Sequence, residues 1–321
     1  MNAIEIFKKL IGERLTPLIV KYKPYEDVFT THPYSHILDA DFEIRFTDTI
    51  FDSIIFYAYE KEEIEKEYQK GHLADLRKAS RVAYEKRIPK TEKETDGLLG
   101  ELTLDSFLKL FFPDIEMLYS RAKYLERSPH KEEFVERKGH EIKGYDGMTF
   151  SIENGEKYFW VGQVKTGGWN YCLTEIQNDI NKSIIKRYFA DAVAILCDIM
   201  RAVNSTSWEL SKIIDDINDI IFDCNSNRSE QTAKILQYFK REQIVIRIPC
   251  LLMPDESNYD DSNKLIDNIK LKVKNAFKEF ILDNNDNLDV EVLLLVFPLR
   301  NLKKVRELFL EVRKVCAFCN Y

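Results

Sequence analysis

The clearest pattern in the chain is a pair of alternating apolar runs, GMTFSI (147–152) and KYFWVGQVK (157–165), separated by Glu153-Asn154-Gly155-Glu156. Alternation with period two marks strands, and Asn-Gly is the strongest short hairpin signal because both central residues of the turn must accept positive φ. An antiparallel hairpin is predicted here. In its second strand Phe159, Trp160 and Val161 are apolar in succession, so neither face meets water and the strand belongs inside a sheet.

The remaining periodicities are mostly helical. Residues 1 to about 90 read as a leading helix, a strand-like stretch around Ile37 to Phe46, and a long charged helix from about Phe56 to Arg87 closed by Pro89. An apolar helix follows from Gly97 to Phe112, ended by Pro113. Beyond the hairpin come helical stretches over about Leu173 to Asp223 and Ser229 to Arg241, then a strand (Ile244 to Leu252), a helix (Ser262 to Leu282), a strand (Val290 to Pro298) and a last helix (Leu302 to Val315). That closing β-α-β order favours a parallel pair within a mixed sheet. The expected class is α/β, a mixed sheet flanked by helices. Residues 1–90 form an N-terminal α/β extension packed on a core domain (91–321), which carries a helical insertion at about 190–242.

Composition narrows the class. A chain of 321 residues with 45% apolar content buries a sizeable core. No apolar run approaches the ~18 residues of a membrane span, and the opening MNAIEIFKKLIGERL is amphipathic rather than a signal peptide, so the expected location is cytoplasmic. Cys172, Cys197, Cys224 and Cys250 sit singly among apolar neighbours, as reduced core cysteines do, and the Cys316-x-x-Cys319 pair lacks the two further ligands a zinc site needs. His32, His36, His72, His130 and His140 have no metal-ligand spacing and read as surface residues. A net charge of −7 argues against an overall basic nucleic-acid binder. Any such contact must be local, and the mixed-charge stretch from Arg121 to Lys143, with Lys123 among its cations, is equally well read as a solvated surface.

The candidate chemistry lies at the far end of the hairpin. A two-residue turn fixes the register, which places Asp146 opposite Gln163 and leaves Lys165 on the same face. A lysine at the end of an interior strand is costly to bury without a partner, which marks it for a task. Glu101 falls in register with Leu104, Leu108 and Phe111 on the inward stripe of its helix. Alone, it reads as a first-turn acid favoured by the helix dipole; together with Asp146, Gln163 and Lys165 it reads better as a metal ligand. Mg²⁺ (or Mn²⁺) takes hard oxygen donors, which Glu101, Asp146 and the Gln163 amide supply, and Lys165 is placed to stabilise developing negative charge or position a water. Gly167 and Gly168 permit close approach of a phosphate backbone, whereas Trp169 and Tyr171 after them read as core aromatics.

These residues resemble the PD-(D/E)xK nuclease superfamily: an acid on the first core helix (Gly100-Glu101), an acid opening a strand (Gly144-Tyr145-Asp146-Gly147) and a final (E/Q)xK (Gln163-Val164-Lys165). More narrowly, LGELTLDSFL, RAKYLER, KGYDG and WVGQVKT are similar to the HamA nuclease family of Hachiman anti-phage systems, over about residues 95–185 and in the LLLVFPL strand. The resemblance implies a restriction-endonuclease-like core, Mg²⁺-dependent DNA cleavage with Glu101, Asp146, Gln163 and Lys165 as the site, and a HamB helicase partner holding it in check. The departure is Gln163, where the superfamily favours Glu. Two rival readings stay open: a catalytically silent subunit that binds DNA or the helicase, and an interaction protein docking through its charged helices (Phe56 to Arg87, Leu210 to Asp223).

Overall fold

The computed structural model describes residues 1–21, 34–36, 42–88, 97–112, 125–127, 134–136, 145–183, 189–202, 207–224, 227–257, 259, 262–282 and 287–317. Asn2 opens the first helix: its side chain accepts from Glu5 N while the Glu5 carboxylate accepts from Asn2 N, satisfying two otherwise orphaned amides. That helix, α1 (Ala3–Phe7), continues through a π-turn (Lys8–Gly12) into α2 (Glu13–Leu15) and buries Ile6, Phe7, Ile11 and Leu15. Two short strands, β1 (Ile19–Lys21) and β2 (Tyr34–His36), pair antiparallel.

Two expectations about this region need correcting. The strand expected over Ile37 to Phe46 falls partly outside the described residues (37–41), and its second half is the first turn of helix α3 (Phe42–Asp52). Phe42-Glu-Ile-Arg-Phe46 alternates when read alone, but Phe46, Ile50 and Ile54 recur every four residues and are fully buried, so the helical period wins. The single long helix expected from Phe56 to Arg87 is three: α4 (Ile54–Ala58), α5 (Lys61–Gln69) and α6 (Leu76–Arg87). Tyr59 is extended (φ −109°, ψ 147°), the Glu63 carboxylate accepts from Glu60 N to start α5, and Gly71 turns the chain at φ 75°. Helix α7 (Gly97–Phe111) is buried from Leu98 to Lys109, the condition of a core helix.

After the short antiparallel pair β3 (Leu125–Arg127) and β4 (Phe134–Glu136), the predicted hairpin forms as β5 (Gly147–Glu153) and β6 (Glu156–Gly167). Asn154 (φ 53°) and Gly155 (φ 85°) both have positive φ, as a type I′ turn requires, and the ladder runs from Glu153↔Glu156 to Gly147↔Gly162 in the expected register. Helices α8 (Trp169–Ser183), α9 (Phe189–Ala202), α10 (Trp208–Asp223) and α11 (Arg228–Arg241) follow, then β7 (Ile244–Pro254), α12 (Ser262–Phe277), β8 (Val290–Val296) and α13 (Leu302–Ala317). The sheet order is β5-β6-β7-β8, with β5 antiparallel to β6 and the other two pairings parallel, so the closing β-α-β expectation holds.

The sheet separates two hydrophobic cores. On one face Tyr158, Trp160, Leu251, Met253, Leu293 and Leu295 pack with helices of residues 3–111 and with α13. On the other, Phe159, Val161, Cys250, Leu252, Leu294 and Val296 pack with α8–α12. Cys172, Cys197, Cys224 and Cys250 are all buried. No helix among the described residues is long and apolar enough to cross a membrane.

Two glycines set the distance between α7 and β6. A Cβ on Gly100 would lie 2.6 Å from Val164 Cγ1, and one on Gly162 would lie 2.8 Å from Leu104 Cδ2. The Val164 methyl is held by a stiff branched side chain, whereas the Leu104 methyl ends a flexible one, so Gly100 is the less tolerant. Overpacking costs ~1–3 kcal/mol and alanine's helix propensity returns ~1, so Gly100→Ala should destabilise by about 1 kcal/mol net and Gly162→Ala by less. Equal midpoints for both variants in urea would contradict this ordering.

Candidate active site

Position along β6 decides what reaches the site. Trp160, Gly162, Val164 and Thr166 face α7, while Phe159, Val161, Gln163 and Lys165 face the second core, because side chains alternate across a strand. Gln163 is 2% exposed and lies in register with Cys250 of β7; Lys165, beside Leu252, is only half-buried.

Asp146 stands where the hairpin strands part. Its backbone N donates to Gly162 O at 3.0 Å, and its Oδ2 accepts from Val164 N at 2.7 Å. Backbone and side chain thus bond the residues on either side of Gln163, and the carboxylate takes a place a strand carbonyl would otherwise fill. The regular ladder ends at Gly147↔Gly162, one pair short of the direct Asp146-to-Gln163 pairing expected from the turn; Asp146 instead bonds the two neighbours of Gln163, with its carboxylate turned toward the β6 backbone.

Lys165 carries an ion pair that the sequence did not reveal. Its Nζ lies 2.5 Å from Asp179 Oδ2 on α8. Burial pulls the ammonium's pKa down, but Asp179, reinforced by Asp146 and Tyr171, outweighs it and holds the pKa above the ordinary lysine value. Lys165 is therefore a cation at neutral pH, suited to stabilising negative charge rather than accepting a proton. Asp179 had a usable signal: on α8, Cys172, Ile176 and Ile180 form the buried stripe, and Asp179 lies two turns from Cys172 on its margin. The reasoning applied to Glu101 picks it out equally.

Glu101 is 7% exposed on α7, which packs against the Val164 side of β6 rather than the Gln163 side. Tyr57 Oη, from the fully buried α4, donates to its Oε2 at 2.7 Å. Leu104 and Leu108 share the burial expected of this helix and Phe111 is only partly covered. Glu101 also begins a polar row, Glu101, Asp105 and Lys109, spaced every four residues along α7. The structure thus gathers Asp146, Gln163, Lys165 and Asp179 around the end of β6, with Glu101 entering from the other layer.

Among the other expected contacts, Lys123 and Lys143 lie outside the described residues, as do His32, His130 and His140. Gly168 is exposed, and a Cβ there would meet nothing within 4 Å. Trp169 and Tyr171 are less buried than core aromatics. Trp169 Nε1 donates to the buried Glu256 at 3.0 Å beneath the Lys272 ammonium, and Tyr171 is 55% exposed. Arg306, from α13, donates to Thr166 Oγ1 at 2.8 Å and so sets a second cation beside the strand end. No group of three or more His, Cys, Asp or Glu among the described residues is placed to hold a metal ion, so a metal here would draw on the Gln163 amide as well as carboxylates.

A sequence model of the HamA family matches residues 20–312, nearly the whole chain. The chain belongs to the HamA family. HamA proteins are part of Hachiman systems, so this chain has a role in anti-phage defence. The match extends well beyond the 95–185 segment whose motifs resemble the family, covering helices α3–α6 and the chain from β7 into α13. No curated protein matches the chain.

Proposed function

We propose that this chain is a metal-dependent DNA nuclease with a PD-(D/E)xK site made of Glu101, Asp146, Gln163 and Lys165. The observation that carries the reading is the bracketing of Gln163 by Asp146 at the point where β5 and β6 part, with the Lys165 cation two residues further on. The donor set fits a hard divalent ion: the Glu101 and Asp146 carboxylates and the Gln163 amide oxygen are the groups to hold Mg²⁺ or Mn²⁺. When bound, such an ion polarises a phosphodiester and acidifies an attacking water.

The chain's own groups have separate tasks. Val164 N fixes the Asp146 carboxylate, and Tyr57 fixes that of Glu101. Lys165 supplies positive charge for the phosphate oxygens as their charge rises. The exposed Gly168 lets a nucleic-acid backbone come close to the strand end. In this reading a HamB-like helicase is the partner that restrains cutting.

Gln163 favours a second reading, a silent subunit that keeps the fold and binds DNA or the helicase, because a neutral amide holds a divalent ion more weakly than a carboxylate. The test incubates the chain and a Gln163→Glu variant with linear and supercoiled DNA, in Mg²⁺ and in EDTA, with and without the helicase. Cleavage in Mg²⁺ that EDTA abolishes is the expected result. No cleavage by either protein under any of these conditions would leave the silent subunit as the reading to pursue.

A further inference from the structure

Asp179 is a carboxylate at the site that the motif does not account for, and its position is set by the helix that carries it. Cys172 Sγ donates to Lys165 O at 3.5 Å, which pins the start of α8 to the end of β6. From there α8 runs back over the sheet. Seven residues at ~1.5 Å per residue carry Asp179 ~10 Å from Cys172, about three strand residues, which brings it near the level of Gln163.

Two carboxylates from different elements thus act on one ammonium, beside an amide that is 2% exposed. Such a spot favours cations, and Lys165 is the cation the chain itself provides. A divalent ion would compete with that ammonium for the same oxygens and leave Lys165 to reach outward to phosphate. Resting on the nuclease reading above, we infer that Asp179 is a metal ligand of this site, supplying from α8 the carboxylate that position 163 lacks. With Asp146 it gives the face of β6 that carries Gln163 two acidic donors, so a glutamine there is compatible with metal binding.

The inference is tested by Mn²⁺ binding, followed by electron paramagnetic resonance on the full chain without DNA, so the readout does not depend on cleavage. Asp179→Asn should weaken binding by ~10-fold or more, the scale on which metal sites respond to lost anionic support. Gln163→Glu in the Asp179→Asn background should restore it, because the charge returns to the same spot from the strand. Lys165→Ala should not weaken binding, since it removes a competing cation. Binding that depends on Asp146 but is indifferent to Asp179→Asn would overturn the inference and leave the nuclease reading standing. Loss in Asp179→Asn that Gln163→Glu fails to rescue and that Lys165→Ala reproduces would overturn the inference and reduce Asp179 to a positioning residue for Lys165. Absence of Mn²⁺ binding by the unaltered chain would remove both the inference and the metal on which the nuclease reading depends.

Discussion

Lys165→Ala is expected to lower DNA cleavage by roughly 10²–10³-fold, the usual cost of removing one group that stabilises transition-state charge. The size of the effect follows from where the charge sits. The Lys165 ammonium is raised in pKa and fully protonated at neutral pH, and it stands two residues from the amide that Asp146 brackets. The loss should fall mainly on kcat, because charge on the phosphate oxygens grows between bound substrate and transition state. Stability should change little. The Lys165 and Asp179 side chains are 18% and 22% exposed, so the carboxylate left behind can take up water, and partly exposed pairs contribute about 1 kcal/mol or less. A Lys165→Ala protein that cuts DNA at the parental rate would remove this lysine from the chemistry, whatever else the site does.

Lys109→Met is expected to have the largest effect on stability. The Lys109 and Asp105 side chains are 4% and 3% exposed and ion-paired within α7, and Lys109 Nζ also donates to Phe56 O at 3.0 Å. Methionine matches the length of the lysine stem but brings no charge. Asp105 would then be a buried carboxylate without its cation, its Oδ1 having no hydrogen-bond partner among the described residues even now. Breaking such a pair costs about 3–5 kcal/mol, whereas replacing both members by apolar residues of similar volume is often neutral or stabilising. The double variant Asp105→Leu, Lys109→Met should therefore unfold in urea close to the parent, and the single variant far below it. Equal losses in the two would mean that packing or the lost hydrogen bond to Phe56 O, rather than stranded charge, sets the cost.

What could be read from the sequence was whatever a short-range rule determines. The hairpin register from Glu153↔Glu156 to Gly147↔Gly162 followed from Asn154-Gly155 alone, while the departure of Asp146 from that ladder did not. The β7-α12-β8 order implied the parallel pairing. The amino-terminal third was harder because its signals are ambiguous at short length. Phe42 to Phe46 alternates like a strand, and only the continuation to Ile50 and Ile54 exposes the helix. The chain from Phe56 to Arg87 has helical composition throughout, and the breaks come from an extended Tyr59 and a left-handed Gly71 that composition does not flag. Within the site, Asp179 and Tyr57 were missed for a different reason. Each meets its partner only after elements distant along the chain pack together, across 14 residues for Lys165 and Asp179 and 44 for Tyr57 and Glu101.

The division of the molecule into two cores makes β6 a party wall. Glu101 stands in one room and Asp179 in the other, and the chemistry proposed above needs both tenants at their posts. A protein that grips only the helices before residue 111, or only the α8–α11 layer, thereby holds a handle on the site without covering it. Shifting either layer by a fraction of a side chain would detune the proposed site while leaving the end of β6 uncovered.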